Sequence, residues 1–213
     1  MDPTETRVES VRDVGPDAVA LTLESPPEFD ARPGQFVKLV FEVGTETHPR
    51  FYTISSPRVD GTFETTIEID LEGDVSPLLG ALEPGDTVTV AGPFGNSYYE
   101  ADARSVILAG GPGVGPAVGI AERATEDGNE AAVVYRDDEP MHTDRLDGLR
   151  EQGVFVRVLG EEGGLADAVS EAITNAEGEQ VFVYGFADFL DSATDALEAA
   201  GGAPDEAKLE NFG

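Results

Sequence analysis

The chain has no cysteine and only two lysines, Lys38 and Lys208, among its 213 residues. Without cysteine it forms no disulfide, holds no cysteine-ligated zinc or iron–sulfur cluster and uses no thiol in catalysis. It also lacks a long hydrophobic run. The longest uncharged stretch, Ser105 to Ala121, is interrupted by glycines and two prolines and is too short to span a bilayer. We therefore expect no membrane insertion.

Basic residues are scarce as well: 43 acidic residues face 13 basic ones, for a formal net charge of −30. The acids are spread along the chain, as in cytosolic proteins of salt-accumulating halophiles, where the Debye length falls to about 3 Å at 1 M salt. We expect a cytoplasmic protein from a halophilic archaeon. The acidic field argues against nucleic acid and anionic membranes as partners. The acidic start, Met1-Asp2-Pro3-Thr4-Glu5, predicts no signal peptide.

The first hundred residues contain short β-branched and aromatic runs separated by turn residues. Ser76 is a good N-cap and Pro77 suits the first position of one short helix. This pattern predicts an antiparallel β-barrel over residues 1–100. The predicted strands are Val19–Leu23, Phe36–Phe41, Phe51–Ile54, Phe63–Ile69 and Thr87–Ala91.

From residue 101 onward, apolar strands alternate with helical patterns. This alternation predicts a doubly wound α/β parallel sheet over residues 101–213, and so an α+β protein of two domains. The predicted strands are Val106–Leu108, Ala131–Tyr135, Val154–Leu159 and Val181–Tyr184, and the predicted helices cover Pro116–Asp127, Leu165–Ile173 and Leu190–Ala200.

The first chemical motif is Arg50-Phe51-Tyr52-Thr53 on a predicted strand. A guanidinium can form a forked contact with a phosphate, and a tyrosine ring can stack on a flat heterocycle. The threonine hydroxyl can donate a hydrogen bond to a ring nitrogen. The alternative is an ordinary edge strand with an exposed arginine and a half-buried tyrosine.

Two further loops offer bare backbone at the start of a helix. Gly73 to Ser76 opens the short helix and suits a pyrophosphate, although Ser76 could merely cap that helix. Gly110 to Pro116 joins a buried strand to a helix, with a spacing that differs from Gly-x-Gly-x-x-Gly. Each loop alone is a weak signal. The order and spacing of the Arg50–Thr53 motif and the Gly110–Pro116 loop indicate a flavin and a nicotinamide dinucleotide that meet at one place.

The remaining polar residues give no second chemistry. We predict that His48 and His142 are surface residues and that no metal is bound, because neither position offers enough ligands. We predict that acidic clusters such as Asp137-Asp138-Glu139 are solvent-exposed surface residues and not catalytic carboxylates. The chain has no Gly-x-Ser-x-Gly elbow, so hydrolase chemistry lacks support.

Taken together, the motifs resemble the ferredoxin–NADP reductase family in its short form without an iron–sulfur domain. The resemblance covers nearly the whole chain, and its motifs follow the family's order. They are Pro33-Gly34-Gln35-Phe36, Arg50-Phe51-Tyr52-Thr53 with Ser55-Ser56-Pro57, Gly73 to Ser76, Gly85-Asp86 with Gly92-Pro93-Phe94-Gly95, Gly110 to Pro116, and Glu210-Asn211-Phe212.

The resemblance implies FAD in the barrel domain and NADH or NADPH in the second domain. It implies that Arg50 holds the flavin pyrophosphate, that Tyr52 packs along the flavin, and that Thr53 bonds near its reactive nitrogen. The implied catalytic residues are Thr53, Tyr184 and Glu210. The implied cofactor-binding residues are Arg50, Phe51, Tyr52, Thr53, Gly73, Val75, Ser76, Gly110, Gly111, Gly113, Val114, Arg136, Gly185 and Phe212.

Two departures from the family pattern concern the nicotinamide side. Pro112 stands where the family often has threonine, and Tyr184-Gly185-Phe186 replaces its Cys-Gly-Pro. The resemblance puts Tyr184 beside the nicotinamide, where it would reposition or block the ring. Arg136 could hold a 2′-phosphate, whereas the neighbouring acids Asp137 and Asp138 would repel one, which favours NADH.

The sequence thus predicts a flavoprotein oxidoreductase that passes a hydride from NAD(P)H to FAD and electrons to an unidentified acceptor, either a small protein or a small molecule. Three alternatives stay open beside it. One is an electron-transfer subunit of a larger redox complex, which would show an apolar patch for its partner. Another is a non-catalytic flavin- or nucleotide-binding module. The third is a two-domain protein without any cofactor.

Overall fold

A computed structural model describes residues 2–43, 46–70, 75–79 and 81–213. Its first part is a six-stranded antiparallel sheet with the strand order β4-β3-β6-β1-β2-β5. A bridge between Ile54 and Thr65 joins the end of β4 to β5, so the sheet curls toward a barrel. The elements are β1 (Thr4–Gly15), β2 (Ala18–Glu24), β3 (Phe36–Val43), β4 (Glu46–Thr53), β5 (Thr62–Glu68), α1 (Ser76–Leu79) and β6 (Thr87–Phe94).

The second part is a five-stranded parallel sheet with the order β11-β10-β7-β8-β9. A 3₁₀ turn, Gly111–Gly113, links the first of these strands to α2. The elements are β7 (Arg104–Gly110), α2 (Val114–Glu126), β8 (Glu130–Arg136), α3 (Thr143–Glu151), β9 (Phe155–Leu159), α4 (Leu165–Ala172), β10 (Glu179–Gly185), α5 (Ala187–Ala199) and β11 (Lys208–Asn211).

Helices cover both faces of the parallel sheet. On β7, Ile107 and Ala109 join the core beneath α2 and α3, while Val106 and Leu108 join the core beneath α4 and α5. A strand buried on both faces is therefore apolar throughout, which is why its sequence shows a continuous run. The predicted fold class, an antiparallel barrel followed by a doubly wound sheet, is confirmed.

The sequence analysis missed three elements, β1, α3 and β11. β1 alternates buried and charged residues, so its apolar positions are too sparse to stand out. In α3 only Leu146 and Leu149 are buried. β11 is four residues long and carries no β-branched side chain. The predicted domain boundary near residue 100 lies between β6 and β7 and stays a prediction. Within the described ranges, no helix is long and apolar enough to cross a bilayer.

Helix α2 lies directly against the barrel. A Cβ atom added to Gly115 would lie 2.4 Å from Thr66 Oγ1, and one added to Gly119 would lie 2.6 Å from the Ser55 carbonyl oxygen. Only glycine permits this approach. It brings the start of α2 beside the end of β4, and the cavity described next lies between them.

Candidate active site

A cavity of about 450 Å³ opens where the two sheets meet. Its volume is in the range of small-molecule sites, roughly 300–1,000 Å³. Four parts of the chain line the cavity: the end of β4, the end of β5 with the residues after it, the start of α2 with the turn before it, and the aromatic residues that follow β10 and β11. The lining residues are Phe51, Tyr52, Thr53, Thr66, Glu68, Ile69, Asp70, Pro112, Pro116, Phe186 and Phe212.

Three residues of the Arg50–Thr53 motif, Phe51, Tyr52 and Thr53, line the barrel side of the cavity together with the end of β5. Thr53 is buried and ends β4 opposite Phe36. Burial raises the pKa of Tyr52 to about 12, and the Arg50 charge opposes part of that rise. Arg50 donates one hydrogen bond to the carbonyl of Pro49, and no carboxylate of the described residues lies within ion-pair distance of its guanidinium. The arginine is therefore available for an anion.

Phe51 is the most exposed large hydrophobic side chain of the described residues, at 60%. Its ring stands edge-on to Phe36 with 5.8 Å between centroids, and Phe36 packs at 5.7 Å against Phe94, itself 37% exposed. These three rings, here called the aromatic row, leave an apolar surface beside the cavity.

The Gly73–Ser76 loop, predicted to bind the flavin pyrophosphate, lies only partly within the described residues. Ser76 begins α1, and Val75 before it is buried. Gly73 lies outside the described residues. The role predicted for this loop therefore stays a prediction.

The glycines of the nucleotide loop divide into two groups. A Cβ on Gly110 would lie 2.4 Å from Phe189 Cγ, and one on Gly113 would lie 2.3 Å from the Tyr184 carbonyl oxygen. Both are needed for packing. Gly111 differs, because it has φ +55° and nothing within 4 Å of an added Cβ. Of the four loop positions predicted to bind the cofactor, Gly111 alone borders open space, and Val114 is fully buried.

Arg136 ends β8 and stacks over the Phe189 ring, with its guanidinium carbon 5.1 Å from the ring centroid. No described carboxylate lies within ion-pair distance of it. The neighbouring acids are held in their own loop: Asp137 accepts hydrogen bonds from the Tyr135 hydroxyl and the Glu139 amide, each at 2.9 Å. Asp138 accepts one from the Glu161 amide at 2.9 Å.

The tyrosine that replaces the family's cysteine does not line the cavity. Tyr184 is fully buried, its hydroxyl donates to the Ser97 carbonyl, and its ring stacks on Phe182 at 6.4 Å. The side chain is directed at the segment after β6, and the catalytic or obstructing role predicted for Tyr184 beside the nicotinamide stays a prediction. Gly185, which follows it, packs beneath Phe189.

Two phenylalanines flank the cavity instead, Phe186 directly after β10 and Phe212 directly after β11. Phe186 is 48% exposed and meets Phe212 edge-on, with 6.1 Å between centroids. Glu210 pairs with Tyr184 across β11 and β10, and burial raises the pKa of its carboxyl group. Glu210 does not line the cavity, so its catalytic role stays a prediction.

The expectation that His142 is a surface residue is wrong. It is 3% exposed, and its Nε2 lies 2.7 Å from Thr66 Oγ1 on the wall of the cavity. Thr66 and His142 are 76 positions apart, so no local pattern could have paired them. The sequence analysis also missed the residues after β5 and both prolines as lining residues. Among the described residues, no group of three or more histidines or acids is placed to hold a metal.

Comparisons with known proteins agree with this architecture. Residues 5–99 match the family model described as an oxidoreductase FAD-binding domain. Across the whole chain, the crystal structure of a ferredoxin NADP⁺ reductase from Neisseria gonorrhoeae with bound FAD and NADP superposes with a TM-score of 0.80 at 19% identity, covering 100% of both chains.

Two curated relatives are similar in sequence. The reductase component of propane 2-monooxygenase from Rhodococcus jostii is 25% identical over 233 residues, covering 97% of this chain and 63% of that protein. The probable dihydroorotate dehydrogenase B (NAD(+)) electron transfer subunit of Methanopyrus kandleri is 40% identical over 91 residues, covering 43% and 32%. This chain thus spans less than two thirds of the length of either relative.

Residues 5–99 are thus similar to an oxidoreductase FAD-binding domain, and the chain as a whole has the fold of the ferredoxin reductase structure. The fold that the motif resemblance implies is confirmed.

Proposed function

We propose that this protein transfers a hydride from NADH or NADPH to bound FAD and passes the electrons to a separate acceptor. The observation that carries this proposal is the shared cavity. The Arg50–Thr53 motif of the FAD-binding domain and the glycine turn before α2 open onto the same space. Two ring systems held there would face each other, and proximity of this kind can supply much of a rate enhancement.

The barrel residues fit a flavin. FAD supplies the redox chemistry when bound, and the protein supplies binding and orientation. Arg50 has no carboxylate partner among the described residues, so its guanidinium would hold the pyrophosphate. Tyr52 would pack along the isoalloxazine, and the Thr53 hydroxyl, already buried at the end of β4, would donate a hydrogen bond to the ring system.

The nucleotide side fits a dinucleotide at the carboxyl ends of the parallel strands. Gly111 would let a pyrophosphate approach the backbone, and Arg136 would contact the adenosine end. Asp137 and Asp138 accept hydrogen bonds within their own loop, and the preference for NADH that they suggest stays a prediction. The donor is therefore tested with both dinucleotides.

A second candidate function is an electron-transfer subunit in a larger complex. The aromatic row of Phe36, Phe51 and Phe94 leaves apolar surface exposed beside the cavity, as a protein acceptor would require. Both curated relatives carry names of this kind, a reductase component and an electron transfer subunit. A protein acceptor is the partner that we propose.

The proposal is tested by the visible spectrum of the protein purified in high salt, recorded before and after anaerobic addition of NADH and then NADPH. A flavin spectrum that bleaches supports the reductase function, and the faster donor is the physiological candidate. A flavin spectrum that neither donor bleaches supports the non-catalytic module. Absence of flavin after reconstitution with FAD would refute both. The cytoplasmic location and the halophilic archaeal source stay predictions from the acidic composition.

A further inference from the structure

One wall of the cavity belongs to the barrel and the other to the start of α2, and one arginine joins the segments behind them. Thr53 lies on the barrel wall, whereas Pro112 and Pro116 lie on the wall formed by the start of α2. We propose that Arg145 is a positioning residue that holds these walls at the separation required for hydride transfer. The inference rests on the proposed function and adds a residue that does not touch either cofactor site.

From its position on α3, Arg145 contacts two other elements and the segment after β4. Its Nη2 donates to the Ser55 carbonyl at 2.7 Å, two residues beyond Thr53. Its Nη1 donates to Glu64 Oε1 on β5 at 2.9 Å. Its Nε and Nη2 form a forked pair with both carboxylate oxygens of Glu122 on α2, at 2.8 and 2.6 Å. One guanidinium thus ties the segment after the flavin motif to the helix that begins at the nucleotide loop.

The burial of this cluster makes it rigid. The side chains of Arg145, Glu64 and Glu122 are 17%, 15% and 22% exposed. Charge-assisted forked bonds have strict geometry, and solvent screens them less when they are partly buried. Ser55 adds a further bond, because its hydroxyl donates to Glu64 at 2.9 Å.

Close backbone packing lies next to the arginine. Gly119, one turn before Glu122, lies so near the Ser55 carbonyl that an added Cβ would be 2.6 Å away. Because a packed helix shifts as a body, loosening α2 at Glu122 moves Pro116, about 9 Å along the axis at 1.5 Å per residue. A displacement of 1 Å can cost about a hundredfold in rate.

The chain offers a matched control across the same interface. Arg58, in the loop after β4, pairs with Glu126 at 2.5 Å near the far end of α2. Its side chain is 53% exposed and that of Glu126 is 42% exposed. An exposed pair of this kind contributes little to rigidity, because solvent screens it.

The experiment compares Arg145→Met with Arg58→Met in the FAD-loaded protein. We expect Arg145→Met to lower the limiting rate of flavin reduction at least tenfold and to weaken the long-wavelength charge-transfer absorbance between nicotinamide and flavin. Arg58→Met should stay within twofold of the parent protein in both. In hydrogen exchange on the same proteins, amides of residues 54–56 and 114–121 should exchange faster in Arg145→Met only.

Gly119→Ala provides a second variant that leaves the charges intact and forces α2 away from Ser55. It should reproduce the slower reduction and weaker charge-transfer band. If Arg145→Met fails to fold, Arg145→Lys, which keeps the charge and loses the forked pair with Glu122, decides the question. Parent-like rates, absorbance and exchange in the folded variants would overturn the inference. If neither NADH nor NADPH reduces the flavin of the parent protein, the proposed function is overturned instead. That measurement needs no variant.

Discussion

The imidazole Nε2 of His142 lies 2.7 Å from the hydroxyl oxygen of Thr66, across the boundary between the two sheets. The other ring nitrogen, Nδ1, is buried and has no hydrogen-bond partner within the described part of the chain. Burial, aided by the charges of Arg145 and Arg12, lowers the pKa of His142 to about 3. The histidine is therefore neutral in the folded protein at physiological pH.

This burial predicts a specific dependence of stability on pH. Below the ordinary histidine pKa of about 6.5 the unfolded chain binds a proton that folded His142 does not, until the pH approaches 3. Stability should therefore fall as the pH falls through this window, by up to about 1.4 kcal/mol per pH unit from this group. The His142→Gln variant should lack that contribution. Urea unfolding at pH 7, 6 and 5 in constant salt measures it, with His48→Gln as control. Equal slopes in the parent protein and His142→Gln would contradict the assignment.

Arg50→Ala should weaken FAD binding. Hydrogen bonds to charged groups contribute about 1.5–3 kcal/mol, which corresponds to roughly 10- to 100-fold in the dissociation constant. Fluorescence titration of the flavin-free protein with FAD measures the change. Arg157→Ala, which removes an exposed arginine paired with Glu171 on the far edge of the parallel sheet, should bind FAD like the parent protein. Unchanged affinity in Arg50→Ala would remove the pyrophosphate role.

Tyr184 should matter for stability and not for the rate of reduction. Tyr184→Phe leaves the Ser97 carbonyl without its donor, which should cost about 1–3 kcal/mol in the free energy of unfolding. Tyr184→Cys also empties space in a fully buried site, and aromatic truncations cost about 3–5 kcal/mol. Denaturant unfolding and stopped-flow reduction measure the two effects. Faster reduction in Tyr184→Cys would restore the view that the tyrosine obstructs the nicotinamide.

Gly110 and Gly111 are adjacent, yet alanine should act differently at each. Gly110→Ala collides with Phe189 and should destabilise the fold by about 1–3 kcal/mol, as overpacking does. Gly111→Ala meets no atom, costs about 1–2 kcal/mol for its left-handed backbone, and places a methyl group in the space proposed for the dinucleotide. A titration of oxidised dinucleotide should therefore show the larger loss of affinity in Gly111→Ala. The opposite ranking would argue against a phosphate at this turn.

Arg136→Gln distinguishes the two dinucleotides. Only NADPH carries a 2′-phosphate for the guanidinium, so the variant should raise the KM for NADPH by about tenfold or more and leave that for NADH nearly unchanged. Steady-state reduction of a small-molecule acceptor with each donor measures the ratio. Equal changes for both donors would mean that Arg136 supports Phe189 by stacking and does not select the nucleotide.

Local pattern was sufficient for the fold, and it supplied the prediction of two ligand-binding loops. The apolar run of β7 and the helical spacing of α5 predict a parallel sheet with helices on both faces, because a buried strand must be apolar on each side. The Arg50–Thr53 motif and the glycine loop predict two ligands, because arginine and bare backbone are the groups that phosphates require. The absence of cysteine excluded thiol and iron–sulfur chemistry outright.

Tertiary structure decided what the local pattern leaves open. Gly110 is packed and Gly111 borders open space, because the Phe189 side chain, far along the chain, lies against Gly110 and not against Gly111. Three other contacts also join residues that are far apart in the sequence. Tyr184 donates to the Ser97 carbonyl, buried His142 contacts Thr66, and Arg145 binds both Ser55 and Glu122. The periodicity of a segment reports which of its faces is apolar. It carries no information about which distant element covers that face, because that contact is made by residues the segment does not contain.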